Sequence, residues 1–444
     1  MNRNLKHITI LLLLVSLVFP AFSQSSMSIL KGKKRQKVSF EFINNLIIVP
    51  VRLNGKELSF ILDSGARNTI LFGSSKSDSL VLNEQIKTKV RGIGSGKSIN
   101  AIISRNNRLQ IKNIYGFNQK IFVLLDDQFD LSLKMGKPIH GIIGYELFKN
   151  FVTKINYQTR KLSFYDPKQY TPPSSEKYLQ YDLDFYRDKP YVNTLTKLND
   201  SLHFNTKLLI DTGCSDALWL FEDNKGLNIN TNYFEDYLGA GISGSIIGKR
   251  TKIHSFALGD FVFNNVTAAF LDSVSTLRAR SFKERKGSIG SGLLERFKVI
   301  FDYPNKKMYL KKAKSFKEDF KYNRAGLGVA YHKDARMLYK KKNIIISELQ
   351  NGENQQLFNI SYEYKLRRLF YIYYVRPNSA AEKAGLKAND IIIEINDKPS
   401  YEYELEQITG LFYGNKGERI KMHIERKGFR FYYEFKLSEP LLVK

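Results

Sequence analysis

Two segments of the chain each place an aspartate directly after a run of apolar residues and directly before a hydroxyl residue and a glycine. They are residues 63–65 (Asp-Ser-Gly) and residues 211–213 (Asp-Thr-Gly). A buried strand that ends at each aspartate would hold the backbone rigidly, and the glycine would permit the tight turn that presents the carboxyl group. If the two turns meet, the carboxyl groups share one proton, because like charges at short range cannot both ionise easily. The ionised acid can then take a proton from water while the protonated acid donates to a carbonyl oxygen.

The two segments belong to a longer internal repeat whose landmarks recur in the same order. After each aspartate comes a pair of glycines, then an apolar-apolar-glycine segment that ends at Gly144 in the first copy and Gly290 in the second, and then a strand-like run. Landmarks in register predict two homologous lobes, residues 36–167 and 178–312. The joint between the lobes contains a Pro-Pro pair at 172–173, which stops a sheet from continuing.

Inside each lobe, short apolar or alternating runs between turn residues predict strands. The exception in each copy is the segment after Gly144 or Gly290, residues 146–151 and 293–297, which we expect to form a short helix. The predicted fold is therefore mainly β, with one helix in each lobe. The clearest predicted strands are residues 46–53, 58–62, 120–125, 161–165, 207–210 and 307–311.

The doubled motif resembles the D-[ST]-G signature of retropepsin-like aspartic proteases of clan AA, and residues 142–144 and 288–290 resemble the second signature of that family. In the family, the second signature packs behind the catalytic loop, and the hydroxyl residues of the two turns bond across the interface. The resemblance implies two acid-protease lobes in one chain. By this resemblance the catalytic acids are Asp63 and Asp211, the dyad is supported by Ser64, Gly65, Thr212 and Gly213, and the flaps that bend over a substrate contain Gly92, Gly94, Gly239 and Gly241.

Three positions depart from the family pattern. Retroviral enzymes carry an acid two residues after the signature glycine, whereas this chain has Arg67 and Ser215 there. The substrate-backbone contacts of that subfamily are therefore not carried over. Cys214 replaces the small residue that follows the second signature glycine, and we expect it to be a small buried side chain rather than a redox centre.

The cysteine and histidine contents exclude several kinds of site. The chain has 1 cysteine, which cannot form an internal disulfide, an iron–sulfur cluster or a cysteine-rich zinc site. Its 6 histidines are widely spaced in the sequence, so no local pair suits zinc. We expect neither a metal nor another cofactor, because two carboxyl groups can activate water without one.

The C-terminal part, residues 320–440, resembles a PDZ domain of the type associated with bacterial proteases. The strongest part of this resemblance is residues 377–396, where Ser379 can cap a short helix that Gly385 ends. In that family, the backbone N–H groups of a glycine-containing loop bind a peptide's C-terminal carboxylate, and the peptide adds to a sheet edge. The alternative is a PDZ domain that only packs against the lobes. The candidate loop consists of Gly326, Leu327, Gly328 and Val329.

Within this C-terminal part we expect a strand over residues 390–395, a helix over 403–413 and a hairpin of 420–425 with 429–436. Residues 332–370 are longer than the family needs and include a basic run. Such charge is usually a solvated face, and we assign this segment no role.

The N-terminus predicts export from the cytoplasm. Arg3 and Lys6 precede an apolar run that ends in small residues, which is the three-part pattern of a secretory signal peptide. We expect residues 1–23 to be removed by cleavage after Ser23, and no cysteine lies there to accept a lipid anchor. The alternative is an N-terminal membrane anchor. The mature chain is therefore expected to be periplasmic or extracellular.

The charge balance is strongly basic. Lys and Arg total 70 and Asp and Glu total 43, so the formal net charge is +27. A surplus of this size is typical of proteins that bind nucleic acid, anionic membranes or acidic glycans. Export argues against nucleic acid as a partner. We therefore interpret the charge as affinity for an anionic envelope surface or as a solvated exterior.

These patterns together predict an exported aspartic endopeptidase that acts on a peptide or protein substrate, with a PDZ module that recognises a peptide or a partner. Because both aspartates lie in one chain, we expect activity as a monomer. The first alternative is a non-catalytic envelope protein whose lobes form a peptide groove and whose PDZ module acts as a clamp. The second is envelope binding driven by the positive charge, with hydrolysis secondary.

Overall fold

The computed structural model describes residues 26–73, 80–94, 96, 98–125, 131–223, 226–348, 356–440 and 442–443, and for 338–348 and 356–365 it describes the backbone only. The predicted signal peptide lies outside the described residues. The described chain consists mainly of strands arranged in four sheets, which confirms the predicted mainly-β class.

The strands of the first lobe are short and alternate between buried and exposed residues along much of their length. In chain order they are β1 (Ser26–Ile29), β2 (Arg35–Ser39), β3 (Glu41–Ile43), β4 (Leu46–Leu53), β5 (Lys56–Leu62), β6 (Thr69–Phe72), β7 (Gln85–Val90), β8 (Ile99–Ile111), β9 (Ile114–Leu124), β10 (Gly141–Ile143), β11 (Val152–Asn156) and β12 (Lys161–Tyr165). Nine of these strands form one sheet in the order β1-β9-β6-β10-β5-β4-β8-β7, with β3 beside β4.

The second lobe repeats this arrangement. Its strands are β13 (Leu179–Asp182), β14 (Asp184–Tyr186), β15 (Lys189–Lys197), β16 (His203–Asp211), β17 (Leu218–Phe221), β18 (Phe234–Gly241), β19 (Gly244–Leu258), β20 (Phe261–Leu271), β21 (Arg285–Gly290), β22 (Phe297–Asp302) and β23 (Lys307–Lys312). Eight of them form a sheet in the order β14-β15-β16-β21-β17-β20-β19-β18. The central order β5-β10-β6-β9 of the first lobe therefore recurs as β16-β21-β17-β20.

A third sheet of six strands joins the two lobes, in the order β13-β23-β22-β11-β12-β2. At its centre β11 pairs with β22 in antiparallel register, with Thr153 opposite Phe301 and Ile155 opposite Val299. The strand-like run that closes each repeat thus lies in a sheet shared by both lobes. This sheet holds the two lobes in one body.

The fourth sheet belongs to the C-terminal part and has the order β24-β25-β26-β28-β29, with β27 beside β26. The unassigned residues 332–370 lie mostly in the long antiparallel hairpin of its first two strands, whose connection lies outside the described residues. The strands are β24 (Leu327–Glu348), β25 (Gln356–Val375), β26 (Ile391–Ile395), β27 (Lys398–Pro399), β28 (Arg419–Arg426) and β29 (Phe429–Lys436).

Helices are few and short in the described chain. The expected helix at 146–151 is found one residue earlier, but the expected helix at 293–297 ends at Leu294, because the buried Phe297 opens β22 opposite Lys312. None of the described helices is long and apolar enough to cross a membrane. The α-helices are Ser132–Met135, Tyr145–Asn150, Ser273–Thr276, Ser291–Leu294, Ala380–Ala384 and Leu405–Leu411, and the 3₁₀ helices are Pro167–Gln169, Ala279–Ser281, Lys314–Lys317 and Ser400–Glu402.

Two main apolar cores correspond to this division of the chain. One core contains buried residues from both lobes, and in it the ring of Phe148 from the first lobe stacks on Tyr303 from the second with centroids 5.1 Å apart. The C-terminal sheet has a core of its own around Phe370, Ile392 and Met422. In that part, Ser379 caps the helix Ala380–Ala384 as predicted, because its side chain accepts from the Glu382 N–H.

Candidate active site

Asp63 stands where β5 ends beside the parallel strand β10. The register places Phe60 opposite Gly141 and Leu62 opposite Ile143, and the Asp63 N–H donates to the Ile143 carbonyl at 2.9 Å. Any side chain at Gly144 would overlap the Asp63 carbonyl oxygen. The apolar-apolar-glycine segment thus packs directly against the aspartate turn, and its glycine is required by this close approach.

The second lobe positions Asp211 by the same device. The aspartate ends β16 and lies opposite Gly290 of the parallel strand β21. A side chain at Gly290 would overlap the Asp216 carbonyl, and Ser291 Oγ donates to the Thr212 carbonyl at 3.1 Å. Each aspartate therefore sits at the end of a buried strand and is backed by a glycine segment, as the repeat predicts.

The two aspartate turns are joined by reciprocal hydrogen bonds between their hydroxyl residues. The Ser64 N–H donates to Thr212 Oγ1 at 2.9 Å, and the Thr212 N–H donates to Ser64 Oγ at 3.0 Å. The same hydroxyls also donate, from Ser64 to the Ile210 carbonyl at 2.7 Å and from Thr212 to the Leu62 carbonyl at 2.8 Å. Both hydroxyl residues are fully buried, so these four bonds lock the lobes together at the dyad.

The lock brings the two carboxyl groups face to face. The Gly65 N–H donates to Asp63 Oδ1 at 2.7 Å, and the Gly213 N–H donates to Asp211 Oδ1 at 3.1 Å. A Cβ atom at Gly213 would lie 2.5 Å from Asp63 Oδ2, and one at Gly65 would lie 3.1 Å from Asp211 Oδ1. Each carboxyl group therefore lies against the glycine of the opposite lobe, and at Gly213 a side chain would overlap the Asp63 carboxyl group.

Burial, and next to it the neighbouring Asp211 carboxyl, raise the pKa of Asp63 to about 8. Lys189 and the Gly65 N–H act in the opposite direction and lower this pKa. Asp63 therefore keeps its proton at neutral pH. A buried pair that holds one proton is the state in which one acid can donate while the other accepts.

The predicted flap glycines lie near the ends of two β-hairpins. Gly92 and Gly94 follow β7, whereas Gly239 and Gly241 lie in β18 just before the turn at residues 242–243. Gly94 has a φ of +127° and Gly239 a φ of +144°, conformations that other residues rarely adopt. Glycine is thus required by the backbone in both hairpins.

The two hairpin tips touch each other. The Ser243 N–H donates to the Ile93 carbonyl at 3.1 Å, and the Gly92 N–H donates to Ser243 Oγ at 3.1 Å. The Ile93 side chain packs against an apolar cluster of the second lobe, and Ile242 packs against one of the first lobe. Each tip therefore crosses to the other lobe, and the tips must separate before a peptide can enter between them.

Comparisons with known proteins agree with this geometry. The family description "Aspartyl protease" matches residues 49–147, and the description "PDZ domain" matches residues 371–426. The chain contains an aspartyl protease domain and a C-terminal PDZ domain. The matched residues lie within the segments predicted as the first lobe and the PDZ module. The boundaries of all the predicted segments stay predictions.

Among solved structures, the chain is similar to the crystal structure of an aspartic proteinase from Irpex lacteus. The two are 15% identical, and the alignment covers 64% of this chain and 99% of that chain with a TM-score of 0.41. No curated protein matches the chain.

The two positions that depart from the retroviral pattern make equivalent contacts between the lobes of the protease. Arg67 Nε donates to Asp188 Oδ2 at 2.8 Å, and Asn45 Nδ2 donates to the Ser215 carbonyl at 3.0 Å. In each pair, a residue of the two-residue turn before β4 or β15 of one lobe contacts the loop that follows the aspartate of the other lobe. At the two positions where retroviral enzymes carry an acid, this chain therefore has contacts that connect each aspartate loop to the opposite lobe.

Two buried groups next to the dyad have a structural role. Tyr303 Oη donates to the Ser64 carbonyl at 3.3 Å, and burial raises the pKa of this phenol well above its usual value. Burial also raises the pKa of the Cys214 thiol, which keeps it protonated and agrees with a small buried side chain. Nothing in the sequence shows that the Tyr303 hydroxyl reaches the first lobe, because this contact depends on how the two lobes pack.

The predicted carboxylate loop of the PDZ domain is held closely by its own domain. Gly326 has a φ of +76°, and its N–H donates to Asn323 Oδ1 at 2.8 Å. A Cβ atom at Gly328 would lie 2.6 Å from the Tyr373 ring, and Leu327 and Val329 are buried. The Gly326 N–H therefore already has a partner within the domain.

The protease domain occupies part of the PDZ surface between β24 and the helix Leu405–Leu411. A Cβ atom at Gly136 of the first lobe would lie 3.2 Å from Tyr331 Cε2 and 3.3 Å from Leu405 Cβ. The adjacent cavity has a volume of about 390 Å³. It is lined by residues of both domains, among them Lys137 of the protease domain and Arg367 of the PDZ domain. A peptide that added to this edge would share it with the protease domain.

A buried ionic cluster completes the contact between the two domains. Arg376 of the PDZ domain is 2% exposed and lies 3.8 Å from Asp236 of β18, the strand that leads to the second flap. Asp236 also accepts from Arg250 Nε at 3.1 Å, and Arg250 Nη1 donates to Asp216 Oδ1 at 2.7 Å. Asp216 follows the second aspartate loop, so charged contacts run from the PDZ domain to the dyad region.

Proposed function

We propose that the protein is an aspartic endopeptidase that hydrolyses peptide bonds with water activated by Asp63 and Asp211. The observation that carries the proposal is the four-bond lock between Ser64 and Thr212, which holds the carboxyl groups of Asp63 and Asp211 beside each other. The raised pKa of Asp63 keeps one proton on this pair at neutral pH. A structural ion pair would need no such shared proton, and a mere turn would not recur in two lobes.

In the proposed reaction, Asp211 accepts a proton from water as the water oxygen bonds to the scissile carbonyl carbon. Asp63 donates its proton to the carbonyl oxygen, which gives a neutral tetrahedral diol. As the diol collapses, Asp211 gives its proton to the leaving amine nitrogen and the C–N bond breaks, while Asp63 takes a proton from one diol hydroxyl and the carbonyl re-forms. The dyad then again holds one proton, so the cycle needs no external acid or base.

The hydrogen bonds of the two aspartates support this proposal. The Gly65 and Gly213 N–H groups each donate to the aspartate of their own turn. These bonds fix the planes of the carboxyl groups and leave the shared proton able to move between the two acids. Because both halves of the dyad come from one chain, we propose that the monomer is active. Specific activity that stays constant on dilution would support this, and a loss on dilution would contradict it.

The decisive experiment compares Asp63→Asn and Asp211→Asn with the parent chain on a mixture of unstructured peptides. Each substitution keeps the side-chain shape but removes the shared acid, so we expect hydrolysis to fall by about 10³-fold or more. The control is Asp200→Asn, because the Asp200 side chain is 90% exposed. Unchanged hydrolysis in both dyad variants, with their thermal unfolding also unchanged, would refute the proposal.

We further propose that the chain is exported and that the PDZ domain supports the protease domain. The export proposal rests on the pattern of residues 1–23, and a mature N-terminus at residue 24 in secreted or periplasmic material would support it. The PDZ proposal rests on the contact of Arg376 with Asp236. We also propose that residues 326–329 recognise a peptide C-terminus and that the basic chain has affinity for an anionic surface.

A further inference from the structure

The two lobes differ in charge at one pair of equivalent positions beside the dyad. Each lobe has a two-residue tight turn in which both residues have positive φ, Asn44-Asn45 in the first and Arg187-Asp188 in the second. The strand that follows begins with Leu46 in the first lobe and with Lys189 in the second. One cation therefore breaks the symmetry of the cleft.

Several contacts place Lys189 beside the dyad. Its neighbour Asp188 accepts from Arg67, which lies in the aspartate loop of the first lobe. Two residues further along β15, Tyr191 lies opposite Leu209 of β16, two residues before Asp211. Alternate residues of a strand share a face, so Lys189 and Tyr191 point to the same side. The ammonium group accordingly interacts electrostatically with both dyad aspartates.

A second cation, Arg285, lies on the same face and forms no ion pair with an acidic side chain among the described residues. It donates to the Gly287 carbonyl at 3.1 Å and to Ser288 Oγ at 2.8 Å, and it bonds to Tyr191. Its guanidinium group lies 5.1 Å from the centre of the Phe221 ring. These hydrogen-bond and ring partners are neutral, and the acid that acts on the Arg285 charge is Asp211 of the dyad.

The corresponding region of the first lobe is apolar. Phe72 of β6 occupies the place that Phe221 has in β17, since Leu71 pairs with Gly141 as Leu220 pairs with Gly287. The cluster around Phe72 contains the buried Ile139 and Ile48, with Leu46 packed against it. The first lobe thus has apolar side chains in the region where the second lobe has cations, and Leu46 is partly exposed there.

The charges around the dyad leave one positive charge without a partner. Lys189, Arg285 and Arg67 contribute three positive charges, whereas Asp188 contributes one negative charge and the dyad with its shared proton contributes one more. In the described part of the chain, the ammonium group of Lys189 forms no hydrogen bond and no ion pair. A partly buried ammonium group without a partner is costly, and an incoming carboxylate would remove that cost.

We propose that Lys189, supported by Arg285, forms a subsite that binds an acidic side chain of the substrate next to the scissile bond, while the first lobe binds an apolar one. This inference rests on the proposed peptidase function and adds the substrate class to it. The tyrosines at 145, 191 and 303 face the same region and are neutral at the working pH, because burial raises the pKa of each. Burial and the nearby Arg285 lower the pKa of the Lys189 ammonium group, whereas Asp63 and Asp211 raise it. The carboxylate of an acidic side chain would likewise favour the charged form of Lys189.

The test uses fluorogenic peptides that differ at a single residue next to the scissile bond. This residue is Glu, Gln or Lys, and it is placed first on one side of the bond and then on the other. The parent chain should cleave the Glu peptide about tenfold faster than the Gln peptide at one of the two positions, and should reject Lys there. Lys189→Met and Lys189→Gln should remove this preference, and Lys189→Arg should keep it. Lys197→Met, at the far end of the same strand, is the matched control and should behave like the parent chain.

Binding separates this inference from the proposed function. In an Asp211→Asn background, the affinity for the same peptides is measured by fluorescence anisotropy with and without Lys189→Met. Cleavage without any preference for Glu over Gln would overturn the subsite while the peptidase stands. Tighter binding of the Glu peptide that depends on Lys189, without any cleavage by the parent chain, would support the subsite and refute the peptidase. Equal binding of Glu and Gln peptides would overturn the subsite.

Discussion

The backbone N–H of Ser64 donates to the hydroxyl of Thr212, and the backbone N–H of Thr212 donates to the hydroxyl of Ser64, at 2.9 and 3.0 Å. These bonds cross from one lobe to the other, directly beside the two aspartates. Since both hydroxyls are buried and also donate to carbonyls across the interface, removing one hydroxyl leaves two backbone groups without partners. The lock is therefore expected to control both stability and dyad geometry.

Thr212→Val should destabilise the protein by about 3 kcal/mol, because the Ser64 N–H and the Leu62 carbonyl lose their partner in a buried site. The free energy of unfolding in denaturant measures this. Thr212→Ser keeps the hydroxyl and is the matched control, with an expected loss of about 1 kcal/mol for the missing methyl group. Equal losses for the two variants would show that the hydroxyl bonds contribute little.

Gly213→Ala should reduce peptide hydrolysis by about 100-fold, because the added methyl group would lie 2.5 Å from Asp63 Oδ2 and displace the carboxyl group. The measurement is kcat/KM on a fixed peptide. Gly410→Ala is the control, since an added Cβ there meets nothing within 4 Å on an exposed helix position. That control should keep full activity and gain about 0.5–1 kcal/mol of stability. Full activity of Gly213→Ala would contradict the placement of Asp63.

Hydrolysis should decline as pH rises through about 8. Asp63 has its pKa raised to about 8, so the proton that it must donate is present below that pH and lost above it. A pH profile of kcat/KM measures the alkaline limb. Lys189→Met removes a charge that lowers the Asp63 pKa, so the limb should move to higher pH, whereas Lys197→Met should leave it in place. An alkaline limb near pH 5, or one that Lys189→Met moves downward, would contradict this assignment.

Arg376→Met should loosen the contact between the PDZ and protease domains. Its guanidinium group lies 4.7 Å from the centre of the Phe234 ring, near Asp236, and donates to the Asn323 carbonyl at 2.8 Å. We expect a loss of about 2–3 kcal/mol, because the half-buried Asn323 carbonyl loses a partner and the Asp236 charge loses part of its compensation.

The matched control for that variant is Arg419→Met. The Arg419 side chain is 65% exposed in its ion pair with Glu434, so its loss should cost about 0.5 kcal/mol or less. Denaturant unfolding and the rate of proteolytic separation of the PDZ domain measure both variants. If the two variants behave alike, the ionic cluster does not hold the domains together.

The local motifs were readable from the sequence because each depends on a few adjacent residues. The predicted strand at 46–53 is found with the same bounds, and Ser379 caps its helix as expected. The helix predicted at 293–297 was wrong at its end, because the pairing of Phe297 with β23 outweighs its local preference. Local preference decides such boundaries only where no sheet partner competes.

The sequence by itself determined the repeat, the two aspartate turns and the glycines behind them, since those features need only local spacing and the doubling of a pattern. Only the tertiary structure decided that β11 and β22 join the lobes in one sheet, and that Lys189 from a distant hairpin lies beside both aspartates. It also decided that the protease domain covers part of the PDZ edge at Gly136. These relationships arise from packing between segments that are far apart in the chain. The charge of a residue in the sequence does not show which carboxyl group it will contact in the folded protein.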